Sequence, residues 1–179
     1  MRNKLGWIYW IAAAAIAVAV LAVYFRGGES AGASGPAALA GQPAPSFSVP
    51  RLGGGYGALD TYRGRIVVLN LWATWCPPCR AEMPDLQRLY ENYRSRDVVV
   101  LGVDQGESGT TAAAFAQSLG IRYPILIDQQ QQYGRVYAAL GMPTTIVIDR
   151  NGIVVRGFDG ALSYDQMVGA IAPLVGKST

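Results

Sequence analysis

Residues 70–86 read "NLWATWCPPCRAEMPDL" and hold both cysteines of the 179-residue chain, Cys76 and Cys79, with two prolines between them. Just upstream, "IVVLNLW" (66–72) is a continuous apolar, β-branched run, the pattern of a strand buried on both faces. Downstream, Leu86, Leu89, Tyr90 and Tyr93 recur at three- and four-residue steps, which predicts a helix over 77–94. The cysteine pair therefore falls where a buried strand gives way to a helix.

The pattern continues outward from that point. "DVVVLGVD" (97–104) predicts a second buried strand, and Thr110–Leu119 a helix with Gly120 as its C-terminal stop. "YPILID" (123–128) predicts a short strand. A helix is expected over 131–140, with the glutamines at 129–132 as its solvated start after Asp128. "TTIVID" (144–149), the turn 150–152 and "IVVRGF" (153–158) form a hairpin with an Asn-Gly signal. Ser163 and Gln166 make a capping box, opening a last helix with Met167, Val168 and Ile171 on its apolar face. Strands separated by helices imply an α/β layer fold whose sheet is mostly parallel, with the hairpin as an antiparallel edge.

Composition narrows the function. A net charge of +3 without a basic run interleaved with aromatics gives no nucleic-acid surface. The absence of histidine removes the commonest metal ligand and the usual general base of Cys and Ser hydrolases. No resident metal or other cofactor is expected.

The N-terminus stands apart. "WIYWIAAAAIAVAVLAVYF", residues 7–25, has no charge, Gly or Pro. As a helix it would span roughly 28 Å, close to the ~30 Å of a bilayer core. Aromatic residues sit at both ends, and Arg2 and Lys4 precede it, which favours a cytoplasmic N-terminus (1–6) and an extracytoplasmic remainder. A cleaved signal peptide would have a shorter apolar region and a nearby cleavage site, whereas Ala38-Leu39-Ala40 lies well beyond Phe25. A retained transmembrane anchor is therefore expected. Residues 26–41, rich in Gly, Ala and Ser, are expected to be a flexible linker, and 42–179 the folded domain.

Four readings of the cysteines compete. As a staple the pair closes a loop too short to stabilise much. As a zinc site it lacks ligands, and as a haem attachment it lacks the histidine, since Arg80 follows Cys79. The redox reading fits the position. At a helix N-terminus, free N–H groups and the helix dipole favour a Cys76 thiolate, and Cys79 one turn on can resolve a mixed disulfide. Pro77 at the first helical position costs nothing, because its N–H would be orphaned there.

On these residues the chain resembles the membrane-anchored thioredoxin-like thiol–disulfide oxidoreductases of the TlpA/ResA type. "NLWATWCPPC" matches their strand–loop–CxxC signature, and Pro84 matches the proline inside the active-site helix. "GMPTT" (141–145) matches the segment with a cis-proline, which makes Met142–Pro143 the expected cis bond. "VLGVDQGES" (100–108), with the helix and strand after it, looks like this branch's central insertion. The resemblance implies a thioredoxin-like fold, a central mixed sheet flanked by helices, with Cys76 attacking and Cys79 resolving. Trp75, Pro77, Met142 and Pro143 would form the surface on which a substrate chain lies.

One departure from plain thioredoxin is informative. Its buried aspartate, six residues before the first cysteine, is Asn70 here, which takes no proton. In ResA-like proteins a glutamate three residues after the second cysteine serves instead, and Glu82 stands there. Helical spacing puts it on the face of Cys79; read without the resemblance, it is as well explained as an exposed first-turn acid. The resemblance implies a reductant of protein disulfides, of the kind that keeps apocytochrome c cysteines reduced, recharged by a membrane thiol–disulfide electron donor. The alternatives are an oxidant for secreted proteins and a copper or oxidase assembly factor. A peroxidase does not fit, because Thr74 and the paired cysteines depart from the Thr-x-x-Cys of peroxiredoxins.

Overall fold

The computed structural model describes Trp10, residues 14–17 and residues 35–176. The chain divides into two units, Met1–Ala33 and Ser34–Thr179. In the first, Trp10 and residues 14–17 are helical and exposed. The rest of the expected transmembrane segment 7–25 lies outside the described residues. Among the described residues no helix is long and apolar enough to cross a membrane.

The second unit begins with a small antiparallel pair, β1 (Val49–Pro50) and β2 (Tyr56–Gly57). There follow β3 (Ile66–Trp72), α1 (Pro77–Tyr93), β4 (Val98–Gln105), α2 (Gly109–Ser118), β5 (Ile125–Asp128), α3 (Gln132–Val136), β6 (Thr144–Ile148), β7 (Val154–Asp159) and α4 (Tyr164–Val175). The main sheet runs β5-β4-β3-β6-β7. β3, β4 and β5 are parallel neighbours, while β6 and β7 are antiparallel to the strand before them in that order.

β3 is the central strand, and every residue of it is buried. Its side chains alternate between two cores, as the period-2 geometry of a strand requires. Ile66, Val68 and Trp72 join Met83, Leu86 and Leu89 of α1 and Met167 and Ile171 of α4. Val67, Leu69 and Leu71 join Val99, Leu101, Ile146 and the rings of Tyr133 and Tyr137. Each such aliphatic side chain removed from water contributes roughly 1.5–3 kcal/mol. A one-residue slip in register would exchange the two faces, so the pairing is strongly specified.

The strand and helix boundaries expected from sequence lie within about two residues of those observed, except for α3. That helix ends at Val136, and Ala138 adopts a left-handed φ of 50° that stops it short of the expected residue 140. The Asn-Gly turn is present: Gly152 takes φ 75°, and the Asp149 carboxylate accepts from the N–H groups of Asn151 and Ile153, each at 2.9 Å. The Ser163 capping box forms as expected.

The linker expected over 26–41 is corrected at its C-terminal end. Gly35–Leu39 forms a 3-10 turn with Gly35 and Pro36 buried. It packs on β7, and the Gly41 N–H donates to the Val154 carbonyl at 2.8 Å. The physical reason is Gly157: a Cβ there would lie 2.5 Å from the Pro36 carbonyl carbon, so its bare backbone is the seat of the turn. Small residues read as tether here because they fit a tight contact. Gly157→Ala should therefore destabilise the protein by about 1–3 kcal/mol, seen as a lower urea midpoint. An unchanged midpoint would mean that the turn is not held against β7.

Candidate active site

β3 delivers the chain to the site, and the loop 73–76 turns it into α1. Cys76 is the N-cap of α1, with an extended backbone, and its sulfur accepts the Cys79 N–H at 3.3 Å. Pro77 and Pro78 fill the first helical positions, where no N–H is needed. Cys76 and Cys79 are joined as a disulfide, their Cα atoms 5.3 Å apart. Trp75 beside them is 64% exposed, while Trp72 is fully buried. Arg80 sets its guanidinium 5.5 Å from the centroid of the Phe115 ring.

Opposite the disulfide lies the loop before β6. The Met142–Pro143 bond is cis, and it brings the Met142 carbonyl oxygen to 3.5 Å from Cys76 Sγ. The structure thus brings Cys76, Cys79, Met142 and Pro143 together with Trp75 and Pro77 at one end of the sheet. With the bond closed Cys76 is buried nearly as completely as Cys79, at 3% and 1% exposure, because the helix end packs against the cis-proline loop.

Glu82 is buried, not an exposed first-turn acid. One carboxylate oxygen accepts from Asn70 Nδ2 at 3.1 Å and Thr145 Oγ1 at 3.3 Å; the other accepts the Leu162 N–H at 3.1 Å. Asn70 and Thr145 face each other across the β3–β6 pair, and Asn70 also donates to the Thr145 hydroxyl at 3.0 Å. Desolvation raises the Glu82 pKa from 4.5 to about 7, against the hydrogen bonds from Leu162 and Thr145, with the Asp85 charge adding a little. Nearby, the fully buried Tyr123 hydroxyl has no partner among the described residues. Its pKa is pushed up by burial and by the Glu82 charge.

The arrangement offers a reducible disulfide at a helix N-terminus, a flat exposed indole, and an internal acid one turn beyond the second sulfur. That is the equipment for exchanging a disulfide and moving one proton. The known proteins that this chain resembles point the same way. The AhpC/TSA family matches residues 40–156. Thiol-disulfide oxidoreductase ResA of Geobacillus thermodenitrificans is 38% identical over 131 residues, 73% of this chain and 75% of its own. ResA of Halalkalibacterium halodurans is 31% identical over 167 residues, 93% of this chain and 94% of its own.

The chain belongs to the ResA family of thiol–disulfide oxidoreductases.

A solved thiol:disulfide interchange protein of the thioredoxin family from Chlorobium tepidum superposes with a TM-score of 0.67 at 28% identity, covering 75% of this chain and 96% of its own. The mixed α/β sheet is thus a thioredoxin-like fold, and the enzyme class is thiol–disulfide oxidoreductase.

Two sets of residues at this ResA-type site carried no sequence signal. Thr145 and Leu162 reach Glu82 from 63 and 80 residues away, and no periodicity reports such contacts. The loop itself is held by Glu107, whose carboxylate accepts both the backbone N–H and the hydroxyl of Thr74 at 2.6 Å. The motif "GES" contains that glutamate, but nothing local shows what it grips.

The raised Glu82 pKa has a consequence for stability. A carboxyl whose folded pKa lies above its unfolded value contributes stability fully present below about pH 4.5, and that contribution is lost as pH rises to about 7. Glu82→Gln should remove that loss, on the order of 3 kcal/mol at most. The check is urea unfolding of the oxidised protein from pH 4.5 to 8, wild type against variant. Parallel pH dependences would show that the carboxyl is not held up.

Proposed function

We propose that this ResA-family protein is an extracytoplasmic reductant of protein disulfides, held to the membrane by a helix over residues 7–25. The observation that carries the reading is Glu82, buried one helical turn beyond Cys79 with a pKa of about 7. An acid so raised lies closer to the ~8.5 of a thiol, and so is suited to accept a thiol proton near neutral pH.

The steps follow from that pairing. In the dithiol form the Cys76 thiolate attacks a substrate disulfide, expelling one substrate sulfur as thiolate and leaving a mixed disulfide. The Cys79 thiol then passes its proton to Glu82 and attacks Cys76 Sγ, which releases the second substrate thiolate. Two electrons have moved to the substrate, and the Cys76–Cys79 disulfide remains. Trp75, Pro77, Met142 and Pro143 offer the flat edge along which the substrate chain lies. Apocytochrome c is the substrate class that the resemblance implies, with a membrane thiol–disulfide donor restoring the dithiol. The assembly-factor alternative has less to support it, since the sequence has no histidine and spaces its two cysteines as C-x-x-C.

The direction is tested by the reduction potential of the Cys76–Cys79 couple. A reductant should lie near the ~ −270 mV of thioredoxin, with its disulfide form the more stable to denaturant. A value near the ~ −120 mV of a strong oxidant would turn the reading to disulfide formation.

The roles and the location are tested together in cells producing the Cys79→Ser variant. Mixed disulfides through Cys76 should accumulate in the membrane fraction and be digested by protease added from outside. Cys76→Ser should give none. Adducts forming equally through Cys79 would reverse the assignment of the sulfurs, and adducts in a soluble fraction would remove the anchor.

A further inference from the structure

The closed disulfide is buried, yet a ResA-type enzyme must be reduced by a donor that reaches it. Movement of the loop 73–76 would open the way to it. The hold on that loop is the Glu107 carboxylate, both oxygens of which accept from Thr74 at 2.6 Å. Behind Glu107 stands a second acid. Asp104 lies at the C-terminal end of β4, level with Trp72 in the β3–β4 register, and is fully buried. Its Oδ1 accepts the Glu107 N–H at 3.1 Å, and its Oδ2 has no partner that donates to it.

A buried carboxylate oxygen with no donor is costly, roughly 1–3 kcal/mol or more when charged. A protonated one is a donor, and Glu107, whose N–H already bonds Asp104 Oδ1 at 3.1 Å, offers its carboxylate as the acceptor. We propose that Asp104 and Glu107 form a one-proton latch on the loop that carries Cys76. With the proton between them, Glu107 stays clamped on Thr74 and the disulfide is shut in. When the proton leaves, two carboxylates face each other at close range. Asp104 cannot move, being fixed in a central strand, whereas Glu107 is half-buried and can turn to solvent. Thr74 then loses both acceptors and the loop is freed.

The electrostatics agree. Burial first, then the hydrogen bond and charge of Glu107, raise the Asp104 pKa to about 8, and the Asp128 charge from β5 adds to the shift. The Glu107 N–H opposes it. Of the cations on flanking helices, Arg80 of α1 is stacked on Phe115 and Arg135 of α3 lines a groove beside Gln105 and Met142. Asp104 therefore carries its proton near neutral pH and loses it just above. Asp104 and Glu107 are positioning residues in this reading, since they act on the sulfurs only through Thr74.

The test is the rate at which dithiothreitol reduces the oxidised full-length chain between about pH 6.5 and 9.5. Asp104→Asn keeps an acceptor for the Glu107 N–H and supplies a permanent donor, so its latch should stay closed throughout. The ratio of wild-type to variant rates cancels the reagent's own titration and that of Glu82. It should be near unity at pH 6.5 and rise several-fold along a one-proton curve centred near pH 8. Thr74→Val, which removes one of the two gripped groups, should be reduced several-fold faster than wild type at pH 6.5, with the difference closing by pH 9.5. A flat Asp104→Asn ratio overturns the proposal. If Asp104→Asn does not fold, a Thr74→Val rate equal to wild type at pH 6.5 does so alone. Because the bond's own chemical reduction is read, the result is independent of which sulfur attacks and of the partner protein.

Discussion

A carboxyl buried inside a protein is tolerated only when other groups satisfy it, and at Glu82 those groups come from three separate elements. Asn70 belongs to β3, Thr145 to β6, and the Leu162 N–H to the entry of α4, while Glu82 itself is on α1. Leaving one of these donors out would cost roughly 1–3 kcal/mol in an unsatisfied buried group. The demand is geometric as well as energetic. Asn70 meets Thr145 only in the observed β3–β6 register, and both face α1 only because strand side chains alternate. The placement of the redox helix over the sheet and the chemistry of its acid are thus one constraint.

Much of this was legible in the sequence, and the reasons are local. "IVVLNLW" reads as a buried strand because its apolar run is unbroken, and it occupies Ile66–Trp72. The capping box at Ser163 and the Asn-Gly turn at 151–152 depend on neighbours a few residues apart. The cis bond at Met142–Pro143 came from the family resemblance; nothing in the bare residues distinguishes it from an ordinary X–Pro bond. Glu82 illustrates the limit. Spacing places it on the Cys79 face, but burial against exposure depends on elements far along the chain.

The misses share that cause. A Gly- and Ala-rich stretch reads as linker, yet Gly35 and Pro36 are buried because Gly157 leaves room for them. The expected helix over 131–140 has enough helix-forming residues, but it ends at Val136 where Ala138 turns left-handed and the chain bends toward the cis-proline loop. Asp104 and Glu107 look like ordinary polar residues where a strand meets its loop. Their contacts arise only when β4 lies parallel to β3, which sets Glu107 on Thr74 and Asp104 on the Glu107 N–H.

That parallel pairing explains why the site has two unlike sides. β3 is flanked by β4 running with it and by β6 running against it. The C-terminal end of β3, where the cysteines begin, therefore meets the C-terminal end of β4 on one flank and the start of β6 on the other. An outgoing parallel neighbour brings its strand end and the strand-to-helix loop after it; here the first carries Asp104 and the second Glu107. An incoming antiparallel neighbour brings the chain just before its strand, and here that is Met142–Pro143. Open α/β sheets place their ligand sites at such switches in strand direction and order, because only there do loops of different kinds converge. The consequence is a division of labour: the cis-proline flank sets the Met142 carbonyl against Cys76, while the acid flank holds the loop through Thr74. Glu82 on α1 takes its hydrogen bonds from Asn70, Thr145 and the Leu162 N–H, whereas Thr74 is gripped by Glu107, so the two acids act through different partners.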